Sequence, residues 1–541
     1  MKNRGTPTIR PPEIVSMATE LRRGFIRIAS NYTRLLLTLM LGVFSVPILF
    51  RAVGTDGFGL ISLIVGATGI VLIIVETVNS SLTYEVGKAW HSNDVEFREV
   101  YASANIVAAI VASATSLLFV GFYFALPLLS IDESLLDAAR WMILLQMADN
   151  FVRVLTAAPN NFFMITERFV AQNIIMTLRR SAILIGALAA LGVYGGQEQE
   201  KALVLFAIVQ VSINNLVQFV AVAWAFLVDR RAIPRFSYAS KPGMRRVFST
   251  AKWNAAALGA STIQLQIDQL LMNLLFGLFG NAVFGLAQRL AAYVRMIVNG
   301  MSVGIDAVTV RLNSGGESEL RIKDMLRHST RLHAVALMPA MLYLLLYSNQ
   351  VFHVWIASSV ENPEQTIPTA VVVVFVLLFG MGARAMSDNW TAILYGAGHV
   401  RKYAPLIVAG AALNPVLVLV FWKILPSEMS IVSPAAGFTT IMVLFHFVGI
   451  PMHVTRRLHV SWGDVYIPML RPLILAAVSL PVVLFFNAPA ESWSIIRLLG
   501  SMATYGAVYV VMCVLFELSS AERNRIARAI RRQVIGRVSS A

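Results

Sequence analysis

Cysteine is nearly missing from this chain: Cys513 stands alone among 541 residues, which excludes an internal disulfide and a cysteine metal site. Charge is scarce as well. Asp, Glu, Lys and Arg make up 13% of the residues against 57% hydrophobic, far from the roughly one-quarter charged usual in soluble domains. No Walker loop is present, so ATP hydrolysis by this chain is not expected. The histidines are scattered, with no His-x-x-x-His or acid-rich grouping, so no metal is expected, and no cofactor. No polar stretch beyond the tails is long enough for a folded soluble domain, and the first apolar run carries no small-residue cleavage site of a secretory signal.

What is present is a succession of long apolar runs. Fourteen can be read: 26–50, 57–78, 101–128, 138–160, 170–194, 202–228, 249–277, 281–308, 332–355, 367–395, 404–424, 431–454, 468–487 and 493–517. Each reaches the length, about 20 residues, that crosses a bilayer as a helix. Continuous runs rather than alternating ones exclude a β-barrel. The expected fold is an all-α polytopic membrane protein. Lys and Arg fall unevenly between the runs: five in 1–25, seven in 229–252, five in 309–331 and six in 518–541. The alternate connections hold only Arg51, Arg140, Lys201 and Lys423. This asymmetry predicts both termini in the cytoplasm. The net charge of +15 is then a topology signal that needs no nucleic acid. Segment 13–25 and the tail 518–541, with Ile526, Ile530 and Val534 on one face among arginines, read as helices lying in the membrane interface.

The chain also repeats itself. Leu49, Phe50, Gly54, Phe58, Gly59 and Leu60 recur as Leu275, Phe276, Gly280, Phe284, Gly285 and Leu286, at a constant offset of 226 residues. Each copy sits at a joint between two apolar runs. Six runs separate the copies, so two six-helix lobes related by a pseudo-twofold axis along the membrane normal are expected. The divisions are an N-terminal amphipathic segment 1–25, an N-lobe 26–228, a basic linker 229–248, a C-lobe 249–454, two added helices in 468–517 and the tail 518–541.

Charges inside the runs cost about 2.5–3.5 kcal/mol each at mid-helix and usually face an interior cavity. Seven arginines lie well inside the runs, away from their ends: Arg34, Arg153, Arg179, Arg180, Arg289, Arg295 and Arg384. Against them stand Glu76, Asp149, Asp268 and Asp388, with Asp306 near a helix end. Surplus guanidinium suits a phosphate or carboxylate, which Arg grips through a planar fork that stays charged. Asn31, Arg34 and Thr38 form one polar stripe, Gln146, Asp149 and Arg153 a second, and Gln288, Arg295 and Asn299 a third. Arg34, Arg179 and Arg295 have no acid three or four residues away and are the leading anion-site candidates, with Arg153 and Arg384 beside them. Asp149 and Arg153 equally suit mutual neutralisation. Arg180 and Arg289 point about 100° from their better-placed neighbours and rank lower. Asp268, Asp149 and Asp388 are candidates for ion coupling or charge pairing.

The joint Gly54-x-x-x-Phe58-Gly59 resembles the LG-x-x-x-[YF]G signature of the polysaccharide transporter family, within the multidrug/oligosaccharidyl-lipid/polysaccharide exporter superfamily. Asp268 followed by Gly280-x-x-x-Phe284-Gly285 is similar to the family's D-x(11)-G-x-x-x-[YF]G pattern, and Phe352 to Ile356, with Trp355, to its hydrophobic-Trp-Leu turn. One departure is the stretch Gly304-Ile305-Asp306, where members often carry proline. The resemblance implies a flippase of the O-antigen or exopolysaccharide type in a bacterial inner membrane. Its partners would be a polyprenyl-pyrophosphate-linked oligosaccharide, membrane lipids, and glycan polymerase and chain-length machinery. A multidrug exporter of the same superfamily is the alternative, and a polysaccharide polymerase or ligase a more distant one. The sugar-porter loop Gly-x-x-x-Asp-Arg-x-Gly-Arg-Arg is absent from 79–100.

Overall fold

The structure, a computed structural model, describes residues 17–90, 92–166, 168–302, 305, 308–309, 318–518 and 523. All regular structure among them is helical, as a bilayer requires of a chain whose backbone polar groups must pair within the segment. The tail with Ile526, Ile530 and Val534, residues 13–16 of the interfacial segment, and Gly304 and Asp306 lie outside the described residues, as do the side chains of 17–25, Glu76 and Asn299.

The repeat organises the molecule. The first helix, Met17–Trp90, is two helices joined at Gly54 (φ 67°, ψ −175°), here α1 (17–53) and α2 (55–90). Lys241–Ser302 is likewise two helices joined at Gly277 (φ 64°, ψ −159°), α7 (241–276) and α8 (278–302). Between them lie α3 (Asp94–Ala125), α4 (Glu133–Leu155, carried on by Ala157–Ile165), α5 (Phe169–Tyr194) and α6 (Gln199–Val228). After them come α9 (Ser318–Ile356), α10 (Pro363–Gly396), α11 (Val400–Ile424) and α12, which runs from Ser433–Ile441 through a π-helical stretch Met442–Gly449 to Ile450–Leu458. The two added helices are α13 (Trp462–Ser479, extended by Leu480–Phe486) and α14 (Ile495–Met512, extended by Cys513–Glu517).

Eleven stretches among the described residues are long and apolar enough to cross a membrane. Two of these, Ser30–Gly69 and Thr262–Val298, run through the glycine joints and each combine two of the expected runs. The remaining shortfall is α4, whose apolar face is interrupted by Asp137, Arg140, Asp149 and Arg153. Helix α1 also runs straight through the boundary drawn at residue 25, and α7 begins at Lys241, inside the stretch read as linker. The remaining linker is tied to α2 and α3. Arg231 lies 4.1 Å over the Trp90 ring and bonds Asp94 at 3.2 Å, and Tyr101 donates to the Ala232 carbonyl at 2.7 Å. Hydrogen bonds from Arg231 hold the Asp229 carboxyl below its ordinary value.

One detail of the repeat is corrected. The sequence match pairs Gly54 with Gly280, but the second joint turns at Gly277, three residues earlier, and Gly280 sits in regular helix. Only glycine enters this left-handed region without steric cost. The second copy has a glycine available at 277; the matching position of the first copy is Arg51, so the turn there waits until Gly54. No atom lies within 4 Å of a methyl built on Gly277. Gly277→Ala should therefore lose about 1–2 kcal/mol through backbone strain alone. Gly59→Ala should also lose stability, by contact, because its new methyl would run into the Leu278 carbonyl oxygen. Melting midpoints of the purified variants check both; an unshifted Gly277→Ala midpoint would remove the strained turn.

The two halves meet chiefly along the kinked helices. Gly59 packs on the Leu278 backbone, Gly285 on Ser62 and Gly66 on Gln269, so small residues let the helices approach closely. Phe58 and Phe284, with Phe50 stacked on Phe58 at 4.2 Å, are buried in this seam. At the joint end, Arg51 donates to Ser359 and Ser358 at 3.0 Å, and Asn273 donates to the Ser130 carbonyl at 3.1 Å. At the opposite end, Arg246 at the start of α7 bonds Glu85 on α2 at 2.5 Å and Glu96 on α3 at 2.7 Å.

Prolines supply further cross-links. A helical proline frees the carbonyl four residues before it. Pro47 frees Val43, whose carbonyl takes the Trp355 indole at 2.7 Å. Pro339 frees Val335, taken by the Tyr509 hydroxyl at 3.0 Å, and Pro451 frees Phe447, taken by Tyr466 at 2.5 Å. These bonds fasten α9 to α1, α14 to α9 and α13 to α12.

Candidate functional site

The membrane-embedded arginines separate into three groups. In the second half, Arg295 on α8 reaches Asp388 Oδ2 at 2.7 Å, and Arg384, one turn before Asp388 on α10, reaches Oδ1 at 2.9 Å. The absence of an acid near Arg295 in sequence is thus misleading, because its carboxylate comes from another helix. The network continues. Arg384 Nη1 lies 3.1 Å from Nδ1 of His446, whose Nε2 meets Gln264 Oε1 at 3.0 Å, and Gln264 Nε2 donates to the Ile407 carbonyl at 3.2 Å. His446 escaped the sequence reading. It is buried within α12, in the π-helical stretch, where one extra residue in the turn displaces side chains from the ordinary helical register.

The first half has a counterpart. Asp149 on α4 is buried and lies within electrostatic reach of Arg153 on its own helix and of Arg179 on α5. Arg153 also donates to Asn150 at 3.1 Å, and Asn150 to Thr115 at 3.0 Å. In each half, then, the fourth helix carries an acid with an arginine one turn away, and a second arginine arrives from a neighbouring helix. Arg295 and Arg384 share the Asp388 carboxylate as ion pairs, and Arg153 and Arg179 lie within electrostatic reach of Asp149.

Asp268 is isolated from the arginines. It is fully buried on α7, and its Oδ1 accepts from Asn414 on α11 at 2.8 Å while its Oδ2 has no protein partner. Among the described residues no group of three or more His, Cys, Asp or Glu side chains stands together.

Arg34 on α1, Arg180 on α5 and Arg289 on α8 form the third group. Arg180 is within electrostatic reach of both Arg34 and Arg289, across the seam between halves. Arg289 lies 4.7 Å over the ring of Phe58, a residue of the repeated joint, and Arg34 donates to Met176 Sδ at 3.6 Å. Among the described residues none of the three pairs with a carboxylate. The rotation of about 100° that sets Arg180 apart from Arg179 is what turns it toward this group. Beside it, a groove of about 300 Å³ opens between α1 and α5. Arg34, Ser30, Asn173 and Thr177 make its polar floor, while Leu37, Ile174 and Leu178 line its exposed edge. Asn173 fixes the floor by donating to Ser30 and Asn31, both at 2.8 Å.

No family model matches the sequence, and no curated protein matches it. Solved structures do match in fold. An inward-facing multidrug resistance MATE family transporter of the MOP superfamily aligns with TM-score 0.63 at 12% identity, covering 77% of this chain and 95% of that one. The lipid II flippase MurJ in an inward closed conformation aligns with TM-score 0.66 at 12% identity, over 91% and 98% of the two chains. The chain shares the fold of these solved transporters. The MATE multidrug transporter DinF-BH aligns with TM-score 0.60 at 14% identity, over 86% of this chain and all 100% of that one. The two-lobe architecture expected from the repeat is the architecture of this superfamily.

Proposed function

We propose that this chain is a flippase for a polyprenyl-pyrophosphate-linked oligosaccharide, moving the glycan across the membrane by alternating access. The observation that carries the reading is the arginine group Arg34, Arg180 and Arg289, which meets no carboxylate among the described residues, is shared between the halves and is bordered by a groove open at the side. Guanidinium groups that no carboxylate has neutralised are available to a pyrophosphate. A groove with a polar floor and an apolar edge lets a lipid tail stay in the bilayer while its head enters.

The likeness to MurJ supports a lipid-linked substrate. The matches to MATE multidrug transporters favour the rival, an exporter of organic ions, and the buried carboxylate Asp268 would suit a cation. Three arginines within electrostatic reach through Arg180, with no carboxylate partner among the described residues, weigh against an organic-cation cavity, because like charges in a low-dielectric space repel strongly. Arg295 and Arg384, ion-paired with Asp388, and Arg153 and Arg179, within reach of Asp149, become scaffold in this reading, holding α8 to α10 and α4 to α5. Asp268, with one carboxylate oxygen unpartnered, is the candidate carrier of a coupling proton or cation. The contacts at Arg51 and at Arg246 would break in alternation as the halves rock.

Loss of the gene should strand lipid-linked repeat units on the cytoplasmic leaflet, whereas loss of a polymerase would leave single repeats on the outer face. Orientation is tested separately. Reporter fusions after residues 90, 240 and 320 should read cytoplasmic, and fusions near 132 and 362 external. A cytoplasmic signal at 132 would invert or break the proposed topology.

A further inference from the structure

The two added helices create a second basic pocket far from the seam. Helix α13 packs on α9, and α14 closes the side, leaving a cavity of about 550 Å³. Its charged lining is Asp324, Arg327, His328 and Arg331 from α9, Asp464 and Arg471 from α13, and Glu517 from α14.

Two of the three acids here are already engaged, and Asp324 has no ion pair among the described residues. Asp464 caps α13 by accepting from the backbone N–H of Ser461 at 2.8 Å, and it also bonds Arg327 and, at 3.2 Å, Lys323. Glu517 lies 3.6 Å from Arg331. Arg471 is different: it lies nine residues beyond Trp462, about 14 Å along α13, and has no carboxylate partner among the described residues. A guanidinium at that depth beside lipid is costly unless an anion or water meets it. On the same helix Ile467, Leu470 and Ile474 are exposed, an apolar strip beside the pocket mouth.

We propose that this pocket binds the phosphate headgroup of an anionic glycerophospholipid, with Arg471 as the principal contact and the acyl chains lying along Ile467, Leu470 and Ile474. Basic pockets between membrane helices near the cytoplasmic surface select anionic lipids for this electrostatic reason. The site is built from α9, α13 and α14, and does not depend on what the seam transports. The bound lipid is a resident, clamping the added helices to the second half.

The test uses the full-length protein in neutral detergent, titrated with phosphatidylglycerol, phosphatidylcholine or inorganic phosphate, with the melting midpoint and lipid adducts in native mass spectrometry as readouts. Phosphatidylglycerol should raise the midpoint and persist as an adduct; phosphatidylcholine and inorganic phosphate should do neither. Arg471→Gln and Arg471→Glu should weaken the lipid response roughly tenfold or more, as expected for losing a charge-assisted contact, and Arg471→Lys should retain most of it. Two variants guard against one failing to fold. An undiminished response in Arg471→Gln, an equal response to phosphatidylcholine, or the full effect from inorganic phosphate would each overturn the proposal.

Discussion

Arg180→Ala and Arg289→Ala should each abolish movement of a lipid-linked pyrophosphate substrate while leaving the amount of folded protein in the membrane nearly normal. Neither side chain pairs with a carboxylate among the described residues, so removal leaves no stranded acid behind. The loss should appear in substrate affinity. One charge-assisted contact contributes about 1.5–3 kcal/mol, more than tenfold in binding. Arg34→Ala should behave the same way. Lysine at any of the three should restore part of the function, because it returns the charge without the bidentate fork. Arg153→Ala and Arg179→Ala should separate cleanly from this group, since they expose the buried carboxylate of Asp149 and should reduce abundance. Transport rate and membrane abundance, measured side by side on the six alanine variants including Arg295→Ala, distinguish the two classes.

Asp388→Ala should be the most destabilising single change in the second half. It would leave Arg295 and Arg384 facing each other with no neutralising partner, and the Arg384–His446–Gln264 chain would lose its anchor. Breaking a buried ion pair by removing one partner costs about 3–5 kcal/mol. Asp388→Asn keeps the shape and some hydrogen bonding and should fall between alanine and wild type. Combining Asp388→Asn with Arg295→Gln should cost less than the two single changes together, because the second removes a charge the first left unpaired. Additive losses in that cycle would mean the two groups do not act as a pair. The melting midpoint in detergent is the readout.

Much of the architecture could be read from composition. Apolar runs must be helices in a bilayer, and a repeated glycine joint implies repeated halves. The position of the second turn could not, because two glycines three residues apart, Gly277 and Gly280, compete for it and backbone geometry decides. The run at 138–160 was legible as α4 even though Asp149 and Arg153 interrupt its apolar sequence.

The site was only half legible. Helical spacing shows which charges neighbour each other along one helix, and so it paired Asp149 with Arg153. It is blind to a carboxylate arriving from a different helix, which is how Arg295 came to look unpartnered and Arg180 and Arg289 to look peripheral. His446 and Asn414 carried no signal at all, being single polar residues in apolar runs whose partners, Arg384 and Asp268, lie on other helices. The proline positions held an unused clue: each names a free carbonyl four residues back, and three of those carbonyls fasten helices together.

The central claim is that the arginines at the seam carry a lipid-linked pyrophosphate. Its most direct test is a reconstituted assay: purified protein in liposomes containing a fluorescent polyprenyl-pyrophosphate oligosaccharide, with a fluorescent organic-cation dye assayed in parallel. The account predicts that wild-type protein exposes the glycan on the opposite leaflet faster than protein-free liposomes, that Arg180→Ala does not, and that the dye is not moved. Dye transport without glycan movement, or full glycan movement by Arg180→Ala, would contradict it.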